Sequence, residues 1–178
     1  AQGGSSISPT TTTTGASLSD PGTPTRAGYT FNGWFVASTG GSALTFAYAH
    51  GRTADFTLYA QWTLINTYTV TYNANTASSG TVPTDSNTYA TAASVTVLTN
   101  SGTLAKTGYT FAGWCTTQPS AGASCTGTSQ AVSSTFTMGS ANVTLYAVWT
   151  ANTLNVTFDT QGGSSISPTT TTTGASLS

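Results

Sequence analysis

The chain repeats itself, and the spacing of the repeats limits what it can fold into. G-Y-T-F-N-G-W at Gly28–Trp34 returns as G-Y-T-F-A-G-W at Gly108–Trp114. L-Y-A-Q-W at Leu58–Trp62 returns as L-Y-A-V-W at Leu145–Trp149. N-T-Y-T-V-T-Y-N at Asn66–Asn73 returns as N-T-L-N-V-T-F-D at Asn152–Asp159, and residues 2–19 and 161–178 are the same eighteen letters. Recurrence in fixed order marks a string of small supersecondary units rather than one large fold. The offsets give one complete unit over 66–149. Before it lies a unit over 1–62 that lacks its first strand, and after it the first strand and loop of a following unit over 152–178. The identical ends mark the pair of units as the larger period. With no signal peptide or cleavage site visible, the chain reads as a piece of something longer.

Within each unit the apolar residues alternate, which is the signature of half-buried strands. Tyr68, Val70 and Tyr72 share one parity and Thr67, Thr69 and Thr71 the other; Leu154, Val156 and Phe158 keep the first parity in the third copy. Leu58, Ala60 and Trp62 share a face, as do Tyr29 and Phe31. Gly33 and Gly113 stand just before Trp34 and Trp114, where a glycine suggests a bulge that re-aims the indole. A further strand is predicted near Val95–Leu98, and Tyr89–Ala93 could form a short helical turn. The expectation is a mainly β chain of small modules with about four strands each, long Gly/Ser/Thr loops and little or no helix.

Composition removes several function classes. The chain of 178 residues holds three Lys or Arg and four Asp, no Glu, and a net charge of −1. Arg26, Arg52 and Lys106 are too scattered to meet phosphates, so no nucleic-acid partner is expected. No apolar run approaches the roughly 20 residues of a membrane helix, so no membrane insertion is expected. The aromatic content, 11%, is too high for a typical disordered tract.

Cys115 and Cys125 are the only cysteines, and they fall in the connection that is longer in the second unit than in the first. The favoured reading is a disulfide stapling that loop, which implies an oxidising compartment; the alternative is two unpaired thiols. Two sulfurs with no second pair nearby make a poor zinc site. His50 in A-H-G-R-T-A-D lies near Asp55, but the other unit has no histidine there, and the residue reads as a solvated turn residue. Asp20, Asp55, Asp85 and Asp159 are too dispersed for a dense calcium repeat. No catalytic residue, metal site or cofactor is expected. Tyr29, Phe31, Trp34, Trp62, Tyr109, Phe111, Trp114 and Trp149 recur at fixed spacing, which favours core packing over a sugar platform.

G-Y-T-F-x-G-W, then a loop, then a strand ending L-Y-A-x-W, resembles the Listeria–Bacteroides repeat, also described as the internalin B-repeat type. A basic residue two positions before the glycine, Arg26 or Lys106, matches that family's habit, and T-F-T-M at Thr135–Met138 followed by N-V-T-L-Y-A looks like its closing strand. The first unit departs from the pattern at A-Y-A-H-G-R-T-A-D-F. The resemblance implies a β-grasp-like module strung in tandem on bacterial surface and secreted proteins, with no catalytic residues to carry over.

Together these readings favour a structural spacer of a bacterial extracellular or cell-surface protein, with an adhesin for host glycan or mucin as the alternative. The short linkers Thr63–Thr67 and Thr150–Thr153 suggest a semi-rigid rod. The first unit, without a strand equivalent to 153–159, should expose a sheet edge. The segment Thr153, Leu154, Asn155, Val156, Thr157, Phe158 and Asp159 is then a candidate to complete the truncated unit of another chain, head to tail, by strand addition into a filament.

Overall fold

A computed structural model describes residues 1–176. The chain divides into two compact units, Ala1–Asn66 and the residues from Thr67 onward. Every regular element among the described residues is a strand, so the fold is mainly β. None contains a helix long and apolar enough to cross a membrane.

The first unit holds β1 (Ser17–Leu18), β2 (Tyr29–Phe35), β3 (Tyr48–Ala49) and β4 (Tyr59–Leu64). β2 pairs antiparallel with β4, and β1 pairs antiparallel with β3. The buried apolar set here is small: Leu18, Pro24, Trp34, Phe35 and Ala60.

The second unit is better filled. Its strands are β5 (Thr67–Tyr68), β6 (Val70–Asn73), β7 (Tyr89–Ala90), β8 (Ser94–Thr96), β9 (Tyr109–Cys115), β10 (Ser129–Gln130), β11 (Thr135–Thr137), β12 (Val143–Ala151), β13 (Thr153–Val156) and β14 (Thr169–Thr172). Four of them form a sheet in the order β10-β9-β12-β6, in which β12 lies antiparallel to β9 and parallel to β6. β8 with β11, β5 with β7 and β13 with β14 form separate antiparallel ribbons.

The period of two in the sequence decides which side chains face inward. On β6, Val70 and Tyr72 are buried while Thr71 and Asn73 are exposed. On β12, Leu145, Ala147 and Trp149 share a face and are at most 1% exposed. Val95, Val97, Leu104, Trp114 and Met138 complete the core. Burying rings and branched chains of this size is the main favourable term in a module this small.

The glycine of each G-Y-T-F-x-G-W motif has a geometric task. The β2–β4 register slips between Phe31 and Gly33, and the β9–β12 register slips between Val148 and Trp149, opposite Gly113 and Phe111. Gly33 and Gly113 sit at φ 118° and 124°, a region that side-chain-bearing residues rarely adopt. The bulge inserts one residue, so Phe111 and Trp114 both face the core although three positions apart. At Tyr89–Ala93 the structure differs from the helical turn expected. β7 ends at Ala90, and a tight turn with Ala92 at φ 67° leads into β8. The Ala93 N–H donates to the Ala90 carbonyl at 3.0 Å, which closes a β-turn rather than a helix.

Trp114→Ala should cost the second unit about 3–5 kcal/mol, because the ring is fully buried and its loss leaves a cavity. That is a large share of the ~5–15 kcal/mol of a typical domain. Its melting transition should fall sharply in differential scanning calorimetry; an unchanged transition would show that the ring is not part of the core.

Candidate functional site

The recurring rings pack on one another within each unit. In the first, Phe31 lies 5.3 Å from Trp62 and 5.7 Å from Trp34 between ring centroids. In the second, Phe111 stands edge-on to Trp114 at 5.1 Å and to Trp149 at 5.8 Å, and Tyr72 meets Trp114 at 4.7 Å. All four indole N–H groups donate to backbone carbonyls of their own unit. Trp34 reaches Gly22 at 2.8 Å, Trp114 reaches Leu98 at 3.0 Å, Trp62 reaches Ala1 at 3.1 Å and Trp149 reaches Asn75 at 2.9 Å. Trp114 and Trp149 are fully buried, Trp34 nearly so, and Tyr29, Phe31, Trp62, Tyr109 and Phe111 are partly buried. The basic residue before each motif covers its tyrosine: the Arg26 guanidinium lies 3.7 Å from the Tyr29 ring centre and the Lys106 ammonium 5.6 Å from that of Tyr109.

Cys115, the last residue of β9, is joined by a disulfide to Cys125 in the connection to β10, with the Cα atoms 5.6 Å apart. No cluster of three metal-ligating side chains exists among the described residues.

His50 is not the solvated turn residue expected from its sequence setting. It is 7% exposed, with its ring 5.0 Å from that of Phe56. Nδ1 accepts the Arg52 N–H at 3.0 Å, and Nε2 stands 3.2 Å from the Thr12 hydroxyl. Because Nδ1 is an acceptor, the neutral ring carries its proton on Nε2 and donates it to Thr12. A base acting on Thr12 through Nε2 would need the reverse arrangement. No local pattern signals this contact, because Thr12 lies thirty-eight residues away in the five-Thr run.

His50 borders a groove of ≈ 670 Å³ in the first unit, lined also by Leu18, Trp34, Phe56, Leu58 and residues 8–14. In the second unit, β6 pairs with the start of β12 through Val143, Thr144 and Leu145. The L-Y-A-x-W offset makes Phe56, Thr57 and Leu58 the counterparts of those residues. Among the described residues no strand lies beside 56–58, which belong to no ladder themselves.

Thr153–Val156 pairs with Thr169–Thr172 as a surface hairpin, while Thr157, Phe158 and Asp159 join no strand. Leu154 and Phe158 are 48% and 45% exposed, so the parity that buries Val70 and Tyr72 here leaves apolar groups in water.

Asn75 is a structural residue that periodicity does not reveal. Buried at φ 44°, it donates through Nδ2 to the Pro119 and Ala147 carbonyls, both at 2.8 Å, and accepts from Gln118. A short polar side chain tolerates that backbone region, the one available signal. Two tyrosines are also shifted. Burial pushes the Tyr72 hydroxyl above its ordinary value, with a smaller contribution from Asp85; its bond from the Leu98 N–H pulls the other way. Tyr89 is raised by burial and then by donating to Asp85 at 2.8 Å.

The profile of the Listeria–Bacteroides repeat domain matches residues 1–61 and 68–148. Among curated proteins, the chain is 37% identical over 145 residues to internalin H of Listeria monocytogenes, covering 80% of this chain and 23% of that protein. It is 37% identical over 158 residues to an Evansella cellulosilytica protein provisionally named a Gly-rich membrane protein, covering 84% of this chain and 17% of that one. A second Evansella cellulosilytica relative, provisionally named a membrane protein, is 35% identical over 150 residues, with 84% and 21% covered. The chain therefore spans about a fifth of the length of these relatives. No solved structure matches it significantly.

Two stability measurements check this geometry. Below the ordinary tyrosine value, about 10, folded and unfolded states both hold the Tyr72 proton. Above it the unfolded chain releases a proton that the folded one keeps, so the second unit should lose stability as pH rises further. Melting followed by near-UV circular dichroism from about pH 8 to 11.5 should show this fall, with a shallower slope in Tyr72→Phe. Reducing Cys115–Cys125 should cost that unit about 2–3 kcal/mol for a ring of this size. Denaturant unfolding with and without reductant should show the second unit's transition move and the first unit's stay.

Proposed function

We propose a structural role for this chain, which belongs to the Listeria–Bacteroides repeat family. In this reading it is a tandem-module spacer of a bacterial extracellular or cell-surface protein. The observation that carries the reading is the use of the recurring residues: the repeated rings close module interiors, and their indole N–H groups are taken up by backbone carbonyls. A ligand platform would need such rings turned outward with free polar edges. The names of the relatives, an internalin and two membrane proteins, support a surface location. The His50 Nδ1 is already taken up by the Arg52 N–H, which argues against that atom serving as a general base. Only Ile65 and Asn66 separate β4 from β5. Head-to-tail assembly into a fibre extends the same role.

The second reading, an adhesin module for host glycan or mucin, is favoured by the groove beside His50, whose walls mix aromatic and hydroxyl groups. A glycan and mucin array probed with the whole chain separates the two. The spacer reading expects flat signal; selective and saturable binding that an Arg52→Ala or Thr12→Ala variant abolishes would replace it with the adhesin reading.

A further inference from the structure

The chain contains a single Asp–Pro bond, Asp20–Pro21; Asp55, Asp85 and Asp159 precede Phe56, Ser86 and Thr160. This linkage is labile in acid for chemical reasons. An aspartate carboxylate can reach the carbonyl carbon of its own residue. The proline nitrogen is a tertiary amide and leaves readily once protonated. Proline has no N–H, so its nitrogen cannot attack the side chain and divert it into a succinimide.

The fold presents this bond at an exposed tip. Leu18 and Pro24 on either side are buried, while Ser19, Asp20, Gly22 and Thr23 are exposed, so water reaches the bond. Two hydrogen bonds hold the turn between those anchors. The Gly22 N–H donates to Asp20 Oδ1 at 2.8 Å, reaching back across Pro21, and keeps the carboxylate turned along the peptide group that follows it. The indole N–H of Trp34 donates to the Gly22 carbonyl at 2.8 Å and ties the turn to the interior of the first unit. Gly22 sits at φ 96°, which side-chain-bearing residues rarely adopt.

The second unit lacks this chemistry at the matching place. The motif offset carries Asp20, Pro21 and Gly22 onto Asn100, Ser101 and Gly102. Asn100 has no carboxylate, and its amide is taken up by Leu104, accepting the N–H at 2.8 Å and donating to the carbonyl at 2.9 Å.

We infer that Asp20–Pro21 is an acid-triggered self-cleavage site, with Asp20 as the nucleophile and Gly22 and Trp34 as the residues that position it. A carboxylate oxygen of Asp20 attacks the carbonyl carbon of Asp20 and closes a cyclic anhydride. The electron pair of the C–N bond leaves with the Pro21 nitrogen, which takes up a proton and becomes a free secondary amine. Water then opens the anhydride to the side-chain carboxyl and a new α-carboxyl. Attack needs the carboxylate and departure needs a proton, so the rate peaks at about pH 4, where ordinary carboxyls are half-ionised. The residues that share a cleft with Asp20, 8–12 and 17–19, are Ser, Pro, Thr and Leu, so no second titratable side chain faces it there. The titratable side chains of the adjoining groove, which Pro21 also borders, are His50, Arg52 and Asp55. Cleavage parts everything up to Asp20 from the residues that follow, an activity beyond the spacer role and independent of it.

Intact-mass spectrometry of the full chain held at about pH 4 tests the site, beside a synthetic peptide of residues 15–26 under the same conditions. The expected products are residues 1–20 and 21–178, with Pro21 as the new N-terminus and no break at Asn100–Ser101. The folded chain should cleave at least about 10-fold faster than the peptide, because the turn holds the carboxylate in place. In denaturant its rate should fall to that of the peptide. Asp20→Asn, which keeps an acceptor for the Gly22 N–H and removes the carboxylate, should abolish the products. A folded chain that cleaves no faster than the peptide would overturn the inference, since the bond would then show only the lability of any Asp–Pro pair. Products that Asp20→Asn leaves unchanged would overturn it as well. Neither result touches the spacer reading, which falls only to selective glycan binding.

Discussion

The second unit depends on one lateral contact, the parallel pairing of β6 with β12. It brings a strand near the start of the 66–149 repeat beside the strand that ends it, closing a loop of some seventy residues. Tyr72 then stands edge-on to Trp114, with Val70 in the same core, and the bulge at Gly113 sets the indole's position in turn. Loop closure on this scale costs conformational entropy that only substantial burial can offset. The rings supply that burial, which is why they recur while the loops between them vary. Where the contact is made, the interior is tight: Trp114, Leu145 and Ala147 are at 0% exposure. In the first unit, where 56–58 have no such partner, the counterpart Leu58 is only half-buried and a groove remains.

Much of this was legible in the sequence because strands declare themselves by a period of two. The inward parity of Val70 and Tyr72, the bulge at each motif glycine and the mainly β character all follow from alternation and glycine placement. The basic residue before each motif recurs at a fixed offset, but that it lies over the motif tyrosine emerges only in the structure. What alternation cannot show is which distant loop meets which. His50 looked solvated because its partner Thr12 sits in a low-complexity run. Asn75 carried no pattern at all, since its value lies in reaching two carbonyls from separate segments. The exposed Leu154 and Phe158 show the complementary limit: parity states which residues can share a face, but burial requires something on the other side.

The scarcity of charge fits the same economy of design. With seven formally charged side chains in the whole sequence, hydroxyls and amides satisfy most polar needs at the surface. Thr71 meets Thr144 at 3.1 Å on the wet face of the β6–β12 pair, and Thr110 donates to Asn152 at 2.7 Å. Such contacts are insensitive to ionic strength, unlike ion pairs, which salt screens. A module built this way keeps its stability across changes in salt that would weaken a charge-laced surface.

The parallel course of β6 and β12 also determines how the second unit answers a pull. β6 is entered from its N-terminal end, and β12 is left from its C-terminal end. In a parallel pair those two ends lie at opposite extremes of the ladder. Tension between them slides one strand along the other and loads the cross-strand hydrogen bonds together, in shear. An antiparallel hairpin pulled at its open end gives way one bond at a time. The unit thus meets tension along the chain with this ladder placed directly in the path of the force.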